Sequence, residues 1–166
     1  MIFLSVGTQF PFDRLVRAVD EAFDKGSIDE EVFAQIGETS YKPSNIEYVD
    51  FLEKEQFDDC VRRATSIISH AGMGIIILAL EYKKPLLVMP RLRKYSEVVN
   101  NHQVAIARKF EDLGHILVAY DTEGLHEGVR KLKSFMPRQR TASPHAVADR
   151  ICCFLNNLQD SMARGK

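Results

Sequence analysis

Short apolar runs alternate with longer amphipathic stretches along this chain, and that alternation is the strongest constraint on its fold. Ile2–Val6 is an apolar run closed by Gly7-Thr8, so it reads as a buried strand. Pro11 then opens a helix with Leu15, Val16, Val19 and Phe23 on one face, closing near Gly26. Glu31–Ile36, stopped at Gly37, and Ile46–Phe51 read as the second and third strands. Phe57–Ala64 reads as a short helix, Thr65–Ser69 as a fourth strand and Met73–Tyr82 as the next helix. Lys83-Lys84-Pro85 turns into a fifth strand at Leu86–Met89. Asn101–Phe110 has a helical pattern, Ile116–Ala119 is a sixth strand, and Thr122 caps a helix running to about Lys133. Ser143-Pro144 caps a last helix whose Val147, Ile151, Phe154, Leu155 and Leu158 form an apolar stripe. Six strands alternating with helices predict an α/β fold built on a doubly wound parallel sheet.

A chain of 166 residues is long enough for one such domain and its core. The reading places that domain at residues 1–160, with a flexible tail at 161–166. A formal net charge of −1 gives no global reason to expect nucleic acid. The short basic clusters, Arg91-x-Arg93-Lys94 and Arg138-x-Arg140, read as solvated surface. Cys60, Cys152 and Cys153 have no metal-ligand spacing and leave an odd thiol, which suits a reducing cytoplasm. The apolar start lacks the basic segment of a signal peptide, and no run approaches the roughly 20 apolar residues of a membrane span.

Open α/β sheets bind ligands beyond the C-terminal ends of their strands, so the loops there are the candidate site. The first is Val6-Gly7-Thr8-Gln9-Phe10-Pro11, where Gly7 permits a sharp turn. The second is Ser69-His70-Ala71-Gly72-Met73-Gly74, which delivers His70 to the sheet edge beside two glycines and a helix N-terminus. Backbone N–H groups at a helix N-terminus suit phosphates. The third runs from Pro90 to Gln103, where Asn100, Asn101, His102 and Gln103 offer amide and imidazole groups to sugar hydroxyls. Each loop also has a plain structural reading: a βα turn, a satisfied histidine, a helix cap by Asn100 or Asn101.

Other chemistries fit less well. A dinucleotide fingerprint lacks its third glycine and the acidic residue at the end of the next strand. There is no G-x-S-x-G nucleophile elbow and no P-loop. His115, His126 and His145 are scattered, which argues against a metal site, and Asp58-Asp59 point different ways on a helix.

His70-Ala71-Gly72-x-Gly74, Lys84-Pro85-Leu86-Leu87-Val88-Met89-Pro90 and His102-Gln103-x-x-x-Ala107 together resemble the C-terminal, nucleotide-sugar-binding domain of family 28 glycosyltransferases of GT-B fold. Val6-Gly7-Thr8-Gln9, Pro11-Phe12-Asp13-Arg14-Leu15-Val16, Phe33-Ala34-Gln35-Ile36-Gly37 and Tyr48-Val49-Asp50-Phe51-Leu52 resemble a narrower group of stand-alone half-enzymes. That group includes the small subunit of the eukaryotic dolichol-linked N-acetylglucosaminyltransferase and, closer still, PssE-type subunits of exopolysaccharide and capsule synthesis.

The resemblance implies a Rossmann-like sheet forming half of a GT-B fold. It implies a UDP-sugar donor, inversion at the sugar, no cofactor and no tightly bound metal. It implies a PssD-type, membrane-associated partner that supplies the lipid-linked acceptor site and the catalytic base, and so recruits a cytoplasmic chain to the inner face of the membrane. Gly7, Thr8 and Gln9 would approach the diphosphate. Phe51 and Leu52 would lie near the uracil. His70, Ala71, Gly72, Met73 and Gly74 would line the diphosphate and sugar, and His102 and Gln103 would reach the sugar hydroxyls. Two positions depart from the pattern: Ile75 and Leu78 stand where relatives carry Ser or Thr and a ribose-binding Glu, with Glu81 one turn further on. A third departure is Lys83, where relatives have Gly. The alternative is a non-catalytic structural or regulatory subunit that has lost donor binding.

Overall fold

The computed structural model describes residues 1–139 and Cys152–Cys153. Its elements run β1 (Ile2–Ser5), α1 (Asp13–Asp24), β2 (Val32–Gln35), β3 (Glu47–Val49), α2 (Lys54–Arg63), β4 (Ser66–His70), α3 (Met73–Glu81), β5 (Leu86–Met89), α4 (His102–Asp112), β6 (Leu117–Val118) and α5 (Thr122–Leu132). The helix expected after Ser143-Pro144, with its apolar stripe, lies outside the described residues, as does the tail.

The six strands form one sheet in the order β3-β2-β1-β4-β5-β6, and every pair is parallel. This is the Rossmann-like, doubly wound arrangement the alternation predicts. All four β1 residues are buried, because helices cover both faces. Period-two alternation then divides the core. Ile2, Leu4 and Val6 face one layer with Leu15, Val16, Val19, Leu125 and Leu132. Phe3, Ile67, Leu86 and Val88 face the other with Val61, Ile76 and Ala107. Phe3 packs edge-on against Phe57 with ring centroids 5.2 Å apart, which seats α2 on the sheet.

Most element ends shift by one or two residues from the sequence reading, and three helix starts differ for identifiable reasons. Helix α1 starts at Asp13, so Pro11 stands outside it; the Phe12 N–H donates to Thr39 Oγ1 at 3.2 Å. Helix α2 starts three residues before Phe57, because Gln56 Oε1 accepts from Glu53 N at 3.2 Å and closes its first turn. Asp121, not Thr122, caps α5: its Oδ1 accepts from Gly124 N at 2.7 Å. Lys83 adopts φ +54°, the left-handed conformation a glycine would hold without strain.

The segment between β2 and β3 has no helix of its own and is tied to α1 by a buried carboxylate. Asp20 accepts from Tyr41 Oη at 2.7 Å, Ser44 N at 3.1 Å and Asn45 N at 2.9 Å. Burial works against its charged form, but these hydrogen bonds outweigh that and hold its pKa below the ordinary 3.8. Its contribution is therefore present above pH 3.8 and lost as pH falls through the lower, folded value. Asp20→Ala should cost about 1–3 kcal/mol at pH 7 in urea unfolding, and the gap from wild type should narrow below pH 3.8. An unchanged midpoint at pH 7 would contradict this role.

Candidate functional site

From β1 the chain first builds outward to β2 and β3, then returns to the other side of β1 as β4. The loops leaving β1 and β4 therefore diverge and open a crevice between them. A cavity of ≈ 680 Å³ lies there. It is lined by Gly7, Thr8 and Gln9 after β1, by His70, Gly72, Met73 and Gly74 at the entry to α3, by His102 and Gln103 at the start of α4, and by Leu52. Of the residues singled out in the sequence, Phe51, Ala71, Asn100 and Asn101 fall outside this lining; the two asparagines bond within their own loop, Asn100 to His102 and Asn101 to the Arg93 N–H. Phe51 is 51% exposed, and Ala71 is packed completely into the core. Leu52 turns inward because its N–H donates to Gln35 Oε1 at 3.2 Å.

His70 organises the crevice. Its ring lies between the two diverging loops, so that a Cβ on Gly7 would stand 2.8 Å from His70 Cε1 and one on Gly72 would overlap Nε2. Gly7 also holds φ +77°, so both space and backbone conformation demand glycine there. Ser69 Oγ donates to Ser5 O across the sheet. With that proton committed, His70 Nδ1–H donates to Ser69 Oγ at 3.2 Å, which leaves Nε2 as an acceptor. Burial, reinforced by the Arg91 cation, pushes the His70 pKa down from 6.5 to about 4. At neutral pH the ring is thus suited to accept from a hydroxyl. Donation to a phosphate oxygen requires protonation of Nε2, which an adjacent diphosphate favours.

Arg91 corrects the surface reading of its basic cluster: it is 2% exposed and lines the cavity, whereas Arg93 is exposed. Its Nη2 donates to Val6 O at 2.7 Å and to Phe10 O, and its backbone N–H donates to Gln103 Oε1 at 3.1 Å. The following loop is fixed by Glu97, which takes a two-pronged ion pair from Arg14 at 2.8 and 2.9 Å and accepts from Leu92 N at 2.8 Å. Asn100 Oδ1 accepts from His102 N at 3.1 Å and from His102 Nδ1 at 2.7 Å. Asn100, one residue before the N-cap Asn101, therefore satisfies the first N–H of α4 and orients the imidazole, leaving His102 Nε2 as an acceptor. Sequence reasoning favoured a solvent-facing Arg91 over one that meets the ligand, although its place directly beyond the end of β5 was the available signal for the lining role. It missed Gln35, Lys54 and Phe57.

The charge of the cavity is one-sided. Arg91 and Lys54 line it, the latter ion-paired outside the lining with Asp58 at 2.6 Å, and no Asp or Glu lines it among the described residues. The α3 residues Met73, Gly74 and Ile75 also line it, and the first N–H groups of a helix have no acceptor within the helix. Such a wall suits an anion. Ile75 and Leu78 make one side apolar, while Glu81 is exposed and lines a different hollow with Lys83 and Met136. A second groove of ≈ 820 Å³ flanks β2, β3 and α2. It carries Glu31, Glu47, Glu55 and Asp59, which oppose anion binding, and it lies off the switch point. Among the described residues no group of three or more His, Cys, Asp or Glu stands close enough to hold a metal ion.

Over residues 1–158 the sequence matches the glycosyltransferase family 28 C-terminal domain. The UDP-N-acetylglucosamine transferase subunit ALG13 of Saccharomyces cerevisiae is 41% identical over 75 residues, 42% of this chain and 35% of that protein. The protein of the same name from Eremothecium gossypii is 35% identical over 78 residues, 46% of this chain and 36% of its own length. For the Homo sapiens protein the values are 28% over 124 residues, 69% and 10%. The chain thus spans from a tenth to little more than a third of these relatives. An NMR solution structure of ALG13 superposes with TM-score 0.57 at 22% identity, covering 90% of this chain and 93% of that one. Acinetobacter baumannii MurG gives 0.54 at 18%, covering 88% and 48%. At these identities the likeness is one of fold.

Three outcomes follow from the seat of His70. Its ring should titrate near pH 4, not 6.5, in NMR of the ligand-free chain; ordinary titration near 6.5 would contradict the burial described. Because the folded pKa is depressed, stability should fall as pH drops from 6.5 toward about 4. Gly72→Ala should cost about 1–3 kcal/mol by overpacking, and adding His70→Ala should recover most of it. Additive losses would show that the ring and Gly72 do not compete for space.

Proposed function

The chain belongs to the glycosyltransferase family 28 C-terminal domain family, and from that premise we propose that it is the donor-binding subunit of a two-component, inverting glycosyltransferase. The single observation that carries the reading is the cavity at the switch point, lined by no Asp or Glu among the described residues and walled by glycine loops, a helix N-terminus and a buried arginine. Those features match the chemistry of a nucleoside diphosphate. The similarity to UDP-N-acetylglucosamine transferase subunits supports UDP-N-acetylglucosamine as the donor to test first.

In this reading Gly7, Thr8, Gln9 and the start of α3 hold the diphosphate. His70, His102 and Gln103 take the sugar hydroxyls, with both imidazoles presenting an acceptor Nε2. Leu52 and Phe57 provide an apolar wall for the base. The bond from the anomeric carbon to the β-phosphate oxygen breaks as the acceptor hydroxyl attacks that carbon from the opposite face. Charge builds on the departing UDP, where the backbone N–H groups meet it. The reading assigns no cofactor and no tightly bound metal, and it leaves the base that deprotonates the acceptor to the partner chain.

Among the described residues no helix is long and apolar enough to cross a membrane. Recruitment to a membrane, and access to a lipid-linked acceptor, then fall to a membrane-associated partner. The resemblance of Val6–Gln9 and Pro11–Val16 to PssE-type subunits supports a PssD-type partner in exopolysaccharide or capsule synthesis. A second reading, a subunit that no longer binds donor, is favoured by Ile75 and Leu78, which bring apolar side chains to the place of a ribose-binding pair.

Co-expression with the candidate partner, assayed for transfer from UDP-N-acetylglucosamine to a lipid acceptor, tests the proposal. Transfer should require both chains, and His102→Ala or Gln103→Ala should lower it about 10- to 100-fold for lost sugar contacts. Full transfer by this chain alone would overturn the two-subunit reading. Calorimetry showing no UDP binding to the assembled pair, with transfer indifferent to His70→Ala, would establish the non-binding subunit instead.

A further inference from the structure

We propose that Arg91 is a positioning residue for the donor diphosphate: from the end of β5 its guanidinium fixes the loop after β1 and carries a buried positive charge to the cavity wall. The inference rests on the donor-site reading above and names the residue that shapes its anion cradle.

The geometry is specific. One nitrogen, Nη2, donates to both Val6 O and Phe10 O, the two ends of the loop. Gly7, Thr8 and Gln9, which line the cavity, are the residues between those two held carbonyls. The same residue reaches the third wall through its backbone, where Gln103 Oε1 accepts from Arg91 N. Arg91 therefore ties together the loop after β1, the end of β5 and the start of α4. Phe12 supports the guanidinium from its face, with 5.0 Å between the Arg91 Cζ and the ring centroid.

The charge has no dedicated counter-ion. Glu97 is the nearby carboxylate, but Arg14 occupies both its oxygens and Leu92 N–H donates to one of them. Arg14, Arg91 and Glu97 leave this buried cluster with one positive charge in excess. Arg91 Nε is buried and without a hydrogen-bond partner among the described residues. Burial also lowers the Arg91 pKa to about 10, which still leaves the group charged at neutral pH. A buried cation held by carbonyl dipoles alone is electrostatically costly, and an anion entering the cavity offsets that cost. Lysine cannot reproduce the planar fork that lets one residue satisfy several acceptors in fixed directions.

UDP and uridine differ only in the diphosphate, so their binding to the full chain separates the two possible roles of Arg91. Calorimetry should show Arg91→Gln weakening UDP by about tenfold or more while leaving uridine within about twofold. In the ligand-free protein, the same substitution should speed hydrogen exchange of the Gly7–Phe10 amides without affecting β1. Should Arg91→Gln fail to fold, Arg91→Lys carries the test: it keeps the charge, so the UDP-to-uridine preference persists, but exchange in the loop still rises. Equal loss of UDP and uridine, or UDP binding like wild type, would overturn the proposal. Wild type binding neither ligand would overturn the donor-site reading, and the exchange measurement would then decide the loop brace alone.

Discussion

The site depends on one topological constraint, the reversal of strand order at β1. Parallel pairing of β1 with both β2 and β4 sends successive loops away from each other, and a crevice is the unavoidable result. What remains is to fill the crevice without closing it. His70 does so by placing a flat ring between two loops whose facing positions, Gly7 and Gly72, have no side chain to contest the space. Its Nδ1 proton is used on Ser69, which is in turn bound to Ser5, so the ring is locked to the two central strands. The two glycines and the histidine are a single packing unit.

The electrostatics of the crevice follow from how little negative charge surrounds it. A buried arginine normally has a carboxylate; Arg91 has carbonyl oxygens instead, because the nearest carboxylate is taken by Arg14. The Arg14–Glu97 pair joins α1 to the loop after β5 across 83 residues of sequence. This pins the loop that leads to His102 and Gln103. Both histidines of the site are held by their Nδ1 protons, one on Ser69 and one on Asn100, and both offer Nε2 as an acceptor. The cavity thus combines hydroxyl-accepting nitrogens with an anion-favouring wall, the pairing a sugar nucleotide calls for.

Sheet class and the three site loops were legible in the sequence because each rests on local signals. Apolar runs ended by glycine marked β1 and β2, and the strand-Gly-x-Gly-helix order marked the entry to α3. What was not legible came from long-range contacts. Arg91 sits in a run, Arg91-Leu92-Arg93-Lys94, that has the composition of surface, and nothing local distinguishes it from Arg93. Its burial is decided by Val6 and Phe10, more than 80 residues away. Phe51 and Leu52 were grouped together, but adjacent residues leaving a strand face opposite ways, and the Gln35 side chain selects Leu52. Glu81 follows Leu78 by one helical turn, and the structure puts it in a different hollow, so Ile75 and Leu78 stand uncompensated by it.

In the proposed reading the sugar nucleotide binds at the β1–β4 switch point and not in the groove beside β2, β3 and α2. Backbone NMR of the isotope-labelled chain titrated with UDP tests it most directly. The amide signals of Gly7–Phe10, His70–Ile75 and His102-Gln103 should shift together along one binding curve. Shifts confined to the groove around Phe33, Glu47 and Cys60, or a spectrum indifferent to UDP at millimolar concentration (about −4 kcal/mol of binding free energy), would contradict it.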